Sequence, residues 1–239
     1  MENSLNQLIK KRRSIRIFKN TNISIEKVKK CIYNATLAPN SSNLQLWEFY
    51  HIKDKNKLKK ISVACLNQNA AKTASQIVVV VVRGDLWKER AKENIKFLKN
   101  EFNKNHITEK NFKKGNIYYS KLIPFLYSDF LGLLSLFKNI IAQITGIFKP
   151  IYRQVKHTDK RIIAHKSAAL AAQNFMLSMT SVGYDTCPME GSDTLRVKQI
   201  LKLPKKAEIN MIIGCGIMDE KGVYGKRFRI PFEDVYNYI

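Results

Sequence analysis

Apolar positions follow two rhythms along this chain, one helical and one alternating, and they predict most of its elements. Residues 3–11 place Leu5, Leu8 and Ile9 on one helical face. Ser24 is a candidate N-cap, although Lys27 stands where a capping box has Glu. Ile25, Val28, Ile32, Ala35 and Thr36 then repeat at helical spacing until Pro39 stops the helix, and Pro39-Asn40-Ser41-Ser42-Asn43 is a loop by composition. Leu46–Ile52 alternates like a strand, and Asp54 opens a lysine-rich helix to about Leu66. Ile77–Val82 is an unbroken β-branched run, the pattern of a strand covered on both faces at the centre of a sheet. Leu86 to about Phe102 reads as a charged amphipathic helix.

Residues 103–121 are polar and predict a plain connection. Leu122–Phe148 is strongly apolar, with only Asp129 and Lys138 charged, and its 130–148 window approaches the roughly 20 residues of a membrane span. However, Ser135, Lys138, Asn139, Ala142 and Gly146 fall on one helical stripe. A polar stripe with a mid-window lysine favours a helix lying against protein, buried or at a subunit interface, over one on or through a membrane. Residues 161–182 predict a long helix with Ile163, Ala164, Ala168, Ala171, Phe175 and Met179 inward and Gly183 at C′. Residues 184–191 read as strand into turn, and Ser192 or Asp193 caps a helix containing Leu195, Val197, Ile200 and Leu201. Ile209–Gly214 is a last core strand, residues 225–231 are basic, and residues 232–239 form a tail with alternate apolar positions. Strands separated by helices in this way describe an α+β sandwich.

Charge adds a direction. The 239-residue chain is 45% hydrophobic, enough for a true core, and its formal net charge is +23. Residues 1–60 hold 14 Lys and Arg against 4 acids. Such a balance favours nucleic acid, phosphorylated cofactors or an anionic membrane, although lysines scattered along the whole chain also fit a simple compositional bias. Cys31, Cys65, Cys187 and Cys215 form no CxxC pair, and the four histidines form no HExxH, which argues against structural zinc and a disulfide framework. Met-Glu-Asn-Ser at the start lacks the apolar core of a signal peptide, so a cytoplasmic location is expected. There is no GxSxG, no P-loop and no GxGxxG, and Gly214-Cys215-Gly216 is too short to stand for one.

Chemistry concentrates in Arg12-Arg13-Ser14-Ile15-Arg16-Ile17-Phe18. The alternation from Ser14 to Ile17 predicts extended chain, so Ser14 and Arg16 share a face. Guanidinium forks and a hydroxyl on one face suit an anion held at the edge of a core. A solvated basic turn is the bland alternative.

Three further stretches matter: residues 39–47, Cys187-Pro188-Met189-Glu190-Gly191, and Arg227-Phe228-Arg229-Ile230-Pro231. Together with residues 12–18, and in this order, they resemble the FMN-dependent nitroreductase family. The resemblance covers residues 5–83 and 161–239, with a variable helical segment at about 84–160. It implies a single nitroreductase-like domain over 1–239: an α/β sandwich, a central mostly antiparallel sheet flanked by helices, and a domain-entwined homodimer with FMN at the interface. By that resemblance Arg12, Arg13, Ser14 and Arg16 hold the phosphate and pyrimidine side of the flavin, and Arg227 and Arg229 grip the phosphate. Asn40, Ser41 and Asn43 come from the second subunit. Pro188, Met189, Glu190 and Gly191 pass the flavin N5, with the backbone of Glu190 and Gly191 positioning it. Asn67 is a polar contact to the pyrimidine, although the lysine expected three residues later is Ala70 here.

The activity so implied is ping-pong hydride transfer from NADH or NADPH to a nitroaromatic, quinone or similar acceptor, with no side-chain nucleophile and no metal. Phe125, Tyr127, Phe130 and Phe137 are candidate aromatic walls of the acceptor pocket. Dehalogenation and enone reduction are alternatives on the same fold. A basic protein binding nucleic acid is an alternative from another class, disfavoured because residues 1–60 interleave few aromatics with their cations, and a membrane-surface protein using residues 122–148 is a third. Neither a nucleic-acid partner nor a membrane span is expected.

Overall fold

The computed structural model describes residues 4–128 and 133–239. Its elements in order are α1 (Ser4–Lys11), α2 (Ile25–Thr36), β1 (Trp47–Ile52), α3 (Lys55–Ala64), α4 (Asn69–Lys72), β2 (Gln76–Val82), α5 (Trp87–Asn103), α6 (Glu109–Ile117), α7 (Ile123–Tyr127), α8 (Leu133–Phe148), α9 (His157–Ser181), β3 (Asp185–Met189), α10 (Thr194–Ile200) and β4 (Glu208–Gly216).

The strands form one antiparallel sheet in the order β1-β2-β4-β3. β2 lies inside it and is buried along its whole length. Its side chains alternate between two cores. Val78, Val80 and Val82 face a core built with α2 and α9, while Ile77, Val79 and Val81 face one built with α3, Ile15 and Phe18. The continuous β-branched run is thus the boundary that both cores share. Pro188 falls in β3, the outermost strand, where a missing N–H costs no central ladder bond.

The predicted caps form. Ser24 Oγ accepts from the Lys27 N–H at 3.3 Å, Asp54 Oδ1 from Lys57 at 2.8 Å, and Asp193 Oδ1 from Arg196 at 3.1 Å. Gly183 takes φ +80°, and the Tyr184 N–H reaches back to the Met179 carbonyl, a Schellman closure that turns α9 into β3.

Residues 103–121 depart from expectation, since they contain α6 and a π-helical turn, Tyr118–Leu122. The Thr108 hydroxyl caps α6 by accepting from the Asn111 N–H, and Phe112 stacks on Phe102 of α5 at 5.0 Å. A few packing residues thus fold a segment whose composition is that of a loop. The long helix also starts earlier than its apolar pattern, at His157, because Asp159 accepts from the Lys156 N–H and extends the N-terminal turn.

Helix α8 has the stripe expected of it. Ser135, Lys138 and Ala142 are buried and the opposite side is bare. Asp129 and Phe130 lie outside the described residues. Among the described residues no helix is long and apolar enough to cross a membrane.

Candidate functional site

Residues 12–18 run along the outer edge of β3 and are held from two sides. Ser14 forms a parallel bridge to Thr186, and the Ile15 N–H donates to the Thr186 carbonyl at 3.0 Å. From the other side the Arg16 N–H donates to the Gly222 carbonyl at 2.7 Å, and the Asp219 N–H donates to Ile17. Ile15 and Phe18 are buried, which turns Ser14 and Arg16 outward as their alternation predicted. Glycines make room for this strand. A Cβ on Gly216 would meet the Phe18 ring at 2.8 Å, and one on Gly222 would meet the Ile17 carbonyl at 2.6 Å. Gly214-Cys215-Gly216 is therefore a seat for Phe18 and for the Ala70 carbonyl.

The C-terminal basic stretch returns to the same place. Arg12, Arg13, Ser14, Lys226, Arg227, Phe228 and Arg229 line a cavity of about 170 Å³. Its guanidiniums are oriented by main-chain carbonyls: Arg227 donates to Arg12, Arg13 to Gly225 at 2.7 Å, and Arg229 to Phe228 at 2.7 Å. Among the described residues no carboxylate lines it. Burial, and then the neighbouring Arg227, Arg229 and Arg13, lower the Arg12 pKa below the ordinary arginine value. Positive charge packed this closely without an acid is a ready receptor for a multivalent anion.

Next to it, Cys187 is buried beneath Arg12 and Arg16. Burial raises its thiol pKa and the two cations oppose that, so Cys187 is a packed thiol. Beyond it come Pro188, Met189, Glu190 and Gly191, with Met189 buried and Glu190 and Gly191 exposed. The turn is fixed by the α3–α4 connection: Gln68 Nε2 donates to the Gly191 carbonyl at 2.7 Å, and the Asp193 N–H donates to Ala64 at 2.7 Å. Asn67 precedes that glutamine, exposed and at φ 56°. Ala70, where the resemblance expects a lysine, is buried, and its carbonyl lies against Gly214. Asn69 Nδ2 donates to the Tyr224 hydroxyl at 3.1 Å, and the Arg16 guanidinium lies 5.4 Å from the centre of the Tyr224 ring. Gln68, Asn69 and Tyr224 were not anticipated from sequence, because isolated polar residues after a left-handed turn carry no periodic signal.

Asn40, Ser41 and Asn43 lie elsewhere. The Ser41 N–H donates to Ser167 Oγ on α9, Asn43 exchanges bonds with Asn94 on α5, and Ser42 bonds the Tyr118 hydroxyl. The adjoining Leu44 and Leu46 belong to the α2–α9 core, whereas Ile15 and Phe18 belong to the other. Within one chain, then, the loop and the arginines are anchored on opposite faces of the sheet.

A larger cavity, about 730 Å³, lies between the starts of α5 and α9. Its cations Lys88, Lys160, Arg161, Lys205 and Lys206 share it with Asp85 and Glu208. Glu208 pairs with Arg161, and Asp85 with Arg83 at 3.0 Å, so part of its charge is internally balanced, unlike the arginine pocket. Of the proposed aromatic walls, Tyr127 lines this cavity 5.7 Å from Trp87, Phe125 and Phe137 are exposed, and Phe130 lies outside the described residues. None of the described three lines the arginine pocket.

An antiparallel sheet between two helical layers, with a cationic pocket at its edge, defines an α+β protein built to receive an anion. The nitroreductase family model matches residues 9–217, and the chain belongs to that family, an oxidoreductase family. Protein DrgA of Synechocystis is 25% identical over 224 residues, 93% of this chain and 88% of that one. The CLA biosynthesis enone reductase of Lactiplantibacillus plantarum is 22% identical, over 95% of this chain and 92% of its own. Among solved structures, a protein from Exiguobacterium sibiricum in complex with FMN superposes with a TM-score of 0.71 at 19% identity, covering 100% of this chain and 99% of that one.

Proposed function

We propose that this chain is an FMN-dependent NAD(P)H oxidoreductase that passes hydride to nitroaromatics, quinones or similar electron-poor acceptors. The observation that carries the proposal is the arginine pocket, with its several cations and no carboxylate, beside the Pro188–Gly191 turn. A phosphate dianion fits this donor set, and the Exiguobacterium relative binds FMN. When bound, FMN supplies the hydride chemistry. Arg12, Arg13, Arg227 and Arg229 hold its phosphate, and Ser14 and Arg16 face its pyrimidine side, where a cation favours the reduced anionic form. Asn67 and Gln68 border the pyrimidine. The exposed main chain of Glu190 and Gly191, fixed by Gln68, offers a hydrogen bond near N5. NAD(P)H and the acceptor would occupy the same open face in turn, giving ping-pong kinetics.

The active form is a homodimer in which Asn40, Ser41 and Asn43 of one subunit close the site of the other. Their anchorage on the opposite face of the sheet supports this. So do apolar surfaces left bare in a single chain: Leu5 and Ile9 of α1, and Phe228, Ile230, Phe232 and Tyr238 near the C-terminus. The enone reductase relative makes an α,β-unsaturated carbonyl the second acceptor to try.

An absorption spectrum tests the cofactor. Visible flavin bands that bleach on adding NADH or NADPH without oxygen are expected. A colourless protein that fails to take up FMN overturns the proposal.

A further inference from the structure

Helix α8 presents its polar side to the protein and its apolar side to solvent. Ser135, Lys138 and Ala142 are the buried residues, and the Lys138 ammonium points inward, donating to the Ser128 carbonyl at 2.7 Å and lying 5.1 Å from the Phe125 ring centre. Leu136 (59% exposed), Phe137 (63%), Ile144 (55%), Ile147 (76%) and Phe148 (82%) face outward with Ile140. On a helical wheel these outward residues span an arc of about 120° without one polar side chain, at 100° per residue.

We propose that this face lies in the surface of an anionic lipid bilayer, with α8 parallel to the membrane plane. Two observations favour lipid over a second copy of the chain. A protein interface carries roughly one hydrogen bond per 100–200 Å² of contact, and this arc has no side-chain donor or acceptor with which to make any. Lipid tails need none. The second observation is charge. Arg153 is fastened along the edge of the arc, donating to the Gly146 carbonyl at 2.6 Å and to Gln143, and exposed Lys149 and Lys156 lie on either side of it in sequence. Anionic headgroups complement these three cations, whereas a second copy packed on the same face of α8 would bring them against their own counterparts. The buried stripe thus keeps the only charge of α8, Lys138, out of the lipid.

Vesicle flotation of the purified full-length protein tests this without reference to flavin. The wild type is expected to float with vesicles of equal parts phosphatidylglycerol and phosphatidylcholine and to float much less with phosphatidylcholine alone. The double variant Ile144→Glu/Ile147→Glu, at two positions more than half exposed, should lower binding about tenfold or more, and Lys149→Glu should lower it on the anionic vesicles. Wild-type protein that stays soluble, that floats equally with neutral vesicles, or whose variants float unchanged overturns the proposal. So does a double variant that sediments as a smaller species than the wild type in the absence of lipid, because the face then joins two copies.

Discussion

The Arg227 guanidinium donates to the main-chain carbonyl of Arg12, 215 residues away, and ties the C-terminal basic stretch to the N-terminal one. That bond brings a guanidinium toward another cation, and the arrangement is electrostatically unfavourable until an anion enters. Burial first, and then Arg227, Arg229 and Arg13, lower the Arg12 pKa.

Arg12→Ala and Arg229→Ala should therefore each weaken FMN binding by about 1.5–3 kcal/mol, the range for hydrogen bonds to a charged group. Titration of FMN into the flavin-free protein, followed by quenching of flavin fluorescence, measures this. Unchanged affinity in both variants would remove the phosphate from the arginine pocket.

Much of the scaffold behind that pocket was legible locally. The Ile77–Val82 run marked the centre of the sheet, Asp54 and Gly183 marked helix ends, and the alternation of Ser14, Ile15 and Arg16 gave the outward face. In each case a short-range rule sufficed. That Arg227 meets Arg12 rests on a contact across almost the whole chain, and only the family resemblance pointed to it. Gln68 and Tyr224 escaped because their roles depend on partners far away in sequence. Helix α6 escaped because one cap and one aromatic stack outweigh a polar composition.

The opposite anchorage of Asn43 and Arg229 makes a test in trans possible. Asn43→Trp should lose flavin and Arg229→Ala should hold it only weakly, each keeping the subunit fold, as judged by circular dichroism. Mixing the two variants under conditions that exchange subunits should restore flavin binding at one site in each mixed dimer. That site takes its arginines from one chain and its loop from the other. If mixing restores nothing although mixed dimers form, the loop and the arginines do not meet across an interface.

Gly222 supports the arginine strand by having no side chain. A Cβ there would stand 2.6 Å from the Ile17 carbonyl and 2.9 Å from Ile15 Cγ2, and neither backbone nor buried isoleucine yields easily. Gly222→Ala should cost about 1–3 kcal/mol of stability and weaken FMN binding with it. Gly84→Ala, with nothing within 4 Å of the added methyl, should stay within about 0.5 kcal/mol of wild type. Urea midpoints of the two variants decide it, and equal midpoints would show that the turn at Gly222 moves freely.

Burial also makes the fold sensitive to alkali. The Cys31 and Cys65 thiols are buried, and desolvation pushes the pKa of each from 9.0 up to about 11. The unfolded chain gives up these protons first, so stability is whole below pH 9 and falls as pH rises through the interval to about 11. Each thiol should withdraw on the order of 2 kcal/mol across that window. Urea midpoints at neutral pH and at pH 10.5 should differ, and Cys31→Ala/Cys65→Ala, though less stable at neutral pH, should show a shallower decline. A decline equally steep in that variant would assign the alkaline loss to other groups, of which the buried Cys187 and Cys215 thiols, both raised by burial, are the first to examine.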